Sequence, residues 1–197
     1  MKKTLTVLLA LVLVIAMSVA GTMAYLTSTD SVTNTFTVGN VTITLDETDV
    51  DKYGVAIPDV PRTDANEYRL IPGHSYTKDP IIHVDSLSED CYLFVKVVNG
   101  IKNYEAATTI ADQMTAKDWK VVDADKGIYV YAQGTADKTA VAAGSNVTVF
   151  ESFKIDGNAK LPADGTDLDV VVTAYAVQAD GFKDKTPATI WGDAGFT

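Results

Sequence analysis

The sequence predicts an all-β protein, an antiparallel sandwich with one short helix. Three observations carry that prediction. Apolar residues alternate with threonine in Thr35–Gly39 and Val41–Leu45, the period-two pattern of a half-buried strand. Tyr92–Val98 is almost continuously apolar and β-branched, as a central strand between two layers has to be. Turn-forming residues punctuate the runs, at Pro58, Pro61, Pro72-Gly73, Asn99-Gly100, Gly144-Ser145, Asp156-Gly157, Asp164-Gly165 and Asp180-Gly181.

Taken in order, Thr35–Gly39 and Val41–Leu45 flank Gly39-Asn40, which marks a bulge or bend. Ile81–Val84 is a short strand and Tyr92–Val98 the central one. The single helix is expected over Tyr104–Lys117, where Ile110 and Met114 fall one turn apart among alanines. Gly127–Tyr131 alternates again, and Asn146–Phe150 continues toward Phe153 and Ile155. Leu168–Val177 is the strongest strand of the chain. About seven strands separated by turns fit a sandwich, and no internal repeat has a fixed period.

The N-terminus reads as an export signal. Met1-Lys2-Lys3 is followed by a largely apolar run from Leu5 to Ala20 and then by small residues. That run is shorter than the ~20 apolar residues of a bilayer-spanning helix. Small residues at −3 and −1 allow a cut after Ala20 or after Ala24. The rest of the chain is therefore expected to be secreted, with no stable membrane anchor once the leader is gone. Losing a leader with two lysines and no acid takes the net charge from −10 to −12.

Acidity argues against a nucleic-acid partner, because phosphate binding needs clustered Lys and Arg. The single cysteine, Cys91, lies in an apolar run and leaves no intrachain disulfide, so packing has to supply stability. No catalytic constellation is evident. His74 and His83 are the only histidines, and neither belongs to a His-Glu-x-x-His helix. There is no Gly-x-Ser-x-Gly elbow and no phosphate loop. Asp49, Asp51 and Gly54 begin like a calcium loop, but Tyr53 and Val60 occupy positions where oxygen ligands belong, so a solvated acidic turn is expected. Leu161-Pro-Ala-Asp-Gly165 lacks the threonine of a sorting signal and reads as a turn. Neither a metal nor a cofactor is expected, and the chain does not read as an enzyme.

Gly21-Thr-Met-Ala-Tyr-Leu-Thr-Ser-Thr-Asp-Ser-Val-Thr-Asn-Thr-Phe-Thr-Val-Gly-Asn40 resembles the leader and first strand of the TasA/camelysin family of Gram-positive bacteria. Leu70-Ile-Pro-Gly-His-Ser-Tyr-Thr-Lys78 and Thr173-Ala-Tyr-Ala-Val-Gln-Ala179 are similar to two further segments of that family; residues 101–144 match nothing in it. The resemblance implies a jelly-roll-like sandwich, export through a W-type signal peptidase, and a cut between Ala24 and Tyr25. It implies fibres of a biofilm matrix or cell surface, in which the N-terminal strand of one subunit completes the sheet of the next. The partner is then another copy of the chain or a paralogous subunit. Some relatives carry a metallopeptidase label, for which the ligand set is missing here.

The resulting organisation is a signal peptide over 1–24, a strand arm over 25–38 and a sandwich domain over 39–197. The arm suits donation. Residues 25–35 hold no Pro or Gly and one charge, Asp30, and Leu26, Val32, Phe36 and Val38 all fall on one face of an unbulged strand. The same strand could instead pair within its own subunit. A second function class is a secreted adhesin or glycan- or protein-binding module, with Trp119, Tyr131 or Trp191 lining its site.

Overall fold

A computed structural model of the 197-residue chain describes residues 40–162 and 168–196. The chain divides into two units, Met1–Val38 and Gly39–Thr197, and every described residue belongs to the second. The leader, the Ala24/Tyr25 junction and the arm residues Leu26, Val32, Phe36 and Val38 lie outside the described residues, as do Ala163–Asp167.

In chain order the described strands are β1 (Ile43–Asp46), β2 (Ser75–Thr77), β3 (Ile81–Val84), β4 (Cys91–Asn99), β5 (Trp119–Asp123), β6 (Ile128–Tyr131), β7 (Ala140–Val141), β8 (Asn146–Thr148), β9 (Ser152–Lys154) and β10 (Val170–Gln178). The helices are α1 (Ile110–Ala116) and α2 (Pro187–Asp193). All strand pairs are antiparallel, so the described fold is mainly β with two short helices.

β4 organises the larger sheet. β10 pairs with its whole length, from Val170 opposite Asn99 to Gln178 opposite Cys91. Its other edge is shared by β6, opposite Phe94–Lys96, and β7, opposite Cys91–Tyr92, with β5 beyond β6. Both faces of β4 are buried, which explains its lack of polar alternation. Cys91, Leu93, Val95 and Val97 enter the main core; Tyr92 and Phe94 enter a second cluster with Ile190 of α2. At Gly127, a Cβ would sit 2.2 Å from Val97 O, and φ is +66°. Only glycine lets the turn before β6 come this close to β4.

The second sheet has the order β1-β3-β8. β2 and β9 pair in the same register as β3 and β8, and Lys78 N–H donates to Glu151 O (3.2 Å) while Val149 N–H donates to Pro80 O (2.9 Å) between them. The four strands are thus one bent ribbon, interrupted where Pro80 has no N–H to give. Trp119 bridges the two sheets: it is 1% exposed, and its indole N–H donates to Thr148 O.

Three expectations change. There are two helices among the described residues, not one. The expected helix over 104–117 is shorter, starting at the capping box of Thr109 and Asp112 and burying Ile110 and Met114. The second, α2, starts with Thr186 as N-cap and Pro187 in the first turn, a legible start signal that the dominant β pattern obscured. Among the described residues there are ten strands against about seven expected: the expected strand over 35–39 lies outside them, Asn146–Ile155 is two strands, and β2, β5 and β7 are additional short ones.

Candidate functional site

The site is an open flank between β1 and β10. Ile43 and Leu45 of β1, and Val170, Val172, Ala174 and Ala176 of β10, all point at the main core but are only half-buried. Among the described residues no strand pairs with the outer edge of β10. A groove of about 750 Å³ opens there. Its apolar wall includes Leu45, Leu70, Phe153, Leu161, Leu168, Val170 and Val172, and Glu47, Asn66, Tyr68 and Lys78 form a polar stretch.

The segment after β1 is what shapes this wall. Arg62 folds it back on the sheet. Its Nε donates to Asp46 Oδ1, its Nη1 to Thr48 Oγ1 (3.0 Å) and Asp79 Oδ2 (3.1 Å), and its Nη2 to the carbonyls of Asp46 (3.2 Å) and Asp79 (2.8 Å). Arginine suits this role because its planar fork presents donors in fixed directions. Burial opposes ionisation of Asp46 and Asp79, yet both carboxyls are held below their ordinary range. For Asp46 the Arg62 and His83 contacts outweigh burial; for Asp79 the Thr48 N–H and Arg62 do.

Asn66 is the second clip. Its Oδ1 accepts from Val50 N–H (2.9 Å), and its Nδ2 donates to Glu47 Oε1 and Thr48 O, both at 2.8 Å. Glu47 is buried and pairs with Lys78 at 2.7 Å. Lys78 Nζ also lies 5.9 Å from the Tyr68 ring centre. Burial, with Glu47 and Asp79 nearby, pushes the Tyr68 phenol far above its usual range, and its hydroxyl donates to Thr77 O (2.9 Å). The groove therefore joins an apolar wall to a polar stretch in which Glu47 accepts from both Asn66 and Lys78.

The other residues singled out by sequence have local roles. Asp51 Oδ1 accepts from the N–H groups of Tyr53 and Val55, so the calcium-like segment is a capped turn. His74 Nε2 contacts Tyr53 O at 2.9 Å and His83 Nδ1 contacts Asn146 Oδ1 at 2.7 Å, each within its own neighbourhood. Among the described residues no group of three or more His, Cys, Asp or Glu side chains is arranged to hold a metal ion. Cys91 is fully buried, and burial pushes its thiol up to about 11, which suppresses the reactive thiolate. Trp119 is interior and cannot line a sugar site. Tyr131 packs edge-on against Trp119, while Trp191 packs with Phe94, Tyr175 and Phe196 beneath α2.

Sequence reading missed Arg62, Asn66, Asp79, Glu47 and Lys78, which come from three separate stretches of the chain and follow no motif. Comparison with protein-family models, with curated proteins and with solved structures finds no match for this chain.

Proposed function

We propose that this protein is a secreted structural subunit that assembles into extracellular fibres by donating the strand arm over 25–38 to a neighbouring copy. The reading takes the sandwich as jelly-roll-like and the leader as cut between Ala24 and Tyr25. The observation that carries it is the open flank. β10 has nine residues, a fully paired inner edge and half-buried apolar side chains aimed at the core. One added strand would cover those side chains and give β10 backbone partners along its other edge. The arm supplies the matching chemistry, because Leu26, Val32, Phe36 and Val38 all occupy even-numbered positions, which an unbulged strand would put on one face, and its other residues are mostly Ser, Thr and Asn.

Export times the assembly. While the leader is attached, Tyr25 is tethered at the membrane; cleavage frees the arm only outside the cell. Electron microscopy of the secreted protein tests the reading. Filaments are expected from the wild type, and neither Phe36→Glu nor the cleavage-blocked Ala24→Pro forms them. Abundant normal filaments from uncleaved Ala24→Pro protein contradict the release step, and filaments from Phe36→Glu contradict the donor strand.

A further inference from the structure

The outer face of the β1-β3-β8 sheet carries a polar side-chain cluster around His83, of which Asp46 also lines the groove. The register places Thr44 and Asn146 opposite His83, and Asp46 and Thr148 opposite Ile81. His83 therefore stands in the middle strand with an acceptor on either side. Its Nδ1 is 2.7 Å from Asn146 Oδ1 on β8, and its Nε2 is 3.0 Å from Asp46 Oδ2 on β1. The second approach is an ion-pair contact rather than a well-directed hydrogen bond, and Nε2 is shielded from solvent with no other partner among the described residues. Asp46 stays available to it, because Arg62 from the following segment takes only the other carboxylate oxygen, with Asp79 on the far side of Arg62. Asp46 is the charged group in contact with the ring, and Arg62 is bonded to that carboxylate.

A neutral imidazole has one N–H and one lone pair. Two acceptors facing two ring nitrogens are satisfied together only by the imidazolium, which donates from both. When the proton leaves, either Asn146 has to turn its amide over to meet the Nδ1 lone pair, or the Nε2 lone pair faces Asp46. In both cases the charge attraction to Asp46 is lost.

We propose that His83 is a proton-controlled staple that ties β1 to β3 and β8. The tie is complete with the imidazolium and is lost when the ring gives up its proton. β1 is the wall of the groove, with Leu45 facing inward between Thr44 and Asp46, so proton loss loosens the wall. The device belongs to the folded subunit and holds whether or not the groove receives a strand.

Amide hydrogen exchange on the purified protein tests this, compared at pH 5.5 and pH 8 after correction for intrinsic exchange rates. Protection over Thr44–Asp46 is expected to be about threefold greater at the lower pH, the size of a part-buried ion pair. His83→Gln and, separately, Asn146→Ala are expected to flatten that difference while leaving protection across β4 unchanged. Nitrogen-15 shifts of the wild-type imidazole provide a readout without substitution: two protonated nitrogens at pH 5.5, and one on passing to pH 8. Equal corrected protection of Thr44–Asp46 at the two pH values in the wild type overturns the proposal. So does a pH difference that survives intact in both variants.

Discussion

β4 and β10 are neighbours of equal length, nine residues each, paired in register along their whole course, and both are rich in valine. They are buried very differently. Leu93 and Phe94 are 0% exposed on opposite faces of β4, whereas Val171 of β10 is 50% exposed and the inward-facing Val170 and Val172 are only half-buried. The difference comes from their neighbours rather than their composition. β4 has strands on both edges, and Tyr92 and Phe94 join the cluster beneath α2; β10 has β4 on one edge and, among the described residues, no strand on the other. A strand with the composition of a central strand in the position of an edge strand is one that another strand can complete.

Substitutions sharpen that contrast. Phe94→Ala on the sealed side should destabilise the subunit by about 3–5 kcal/mol, since it empties a packed site beneath Trp191 and Phe196. Urea unfolding measures this, and a loss under about 1 kcal/mol would mean that the outer cluster is not a true core.

Arg62→Ala comes next, at about 1–2 kcal/mol, reduced from the value of a fully buried network because Arg62 and Asp46 are each about a third exposed. Asp46 and Asp79 are held below their ordinary value of 3.8, so their stabilisation is present above that pH and is lost as pH falls through their folded values. The wild type should therefore lose more stability than Arg62→Ala as pH falls below about 4. Parallel acid-unfolding curves for the two proteins would contradict the network.

Val172→Ala on the open flank should cost the isolated subunit only about 1 kcal/mol or less, because its side chain is already partly exposed. The same substitution should weaken assembly by more than it weakens folding. Comparing urea midpoints with the critical concentration for filaments separates the two effects, and an equal loss in both would place Val172 in a closed core.

The fold class was legible because β4, β6 and β10 follow simple patterns. Tyr92–Val98 is apolar on both faces because it is buried on both, and Ile128–Tyr131 alternates because one face of β6 meets each cluster. The short elements were not legible. β2 is three residues held by pairing with β9, 77 positions away, and β7 is two residues against β4; neither is long enough to show a period. The groove was half legible. The apolar alternation of β1 and β10 could be read, but which edge lacks a neighbour depends on topology. Arg62, Asn66 and Asp79 follow no motif, because a polar clip is defined by contacts between distant residues.

The proposed assembly needs complementary halves, an arm to give and a flank to receive. Phe36→Glu spoils the arm and leaves the flank; Val170→Glu spoils the flank and leaves the arm. Each variant alone should sediment as a monomer, with a far-ultraviolet circular dichroism spectrum like that of the wild type. Mixed, they should form discrete heterodimers and nothing longer, because the one sound arm meets the one sound groove and the chain of contacts stops there. Filaments from either variant alone, or a mixture that remains monomeric while the wild type polymerises, would contradict strand donation between β1 and β10.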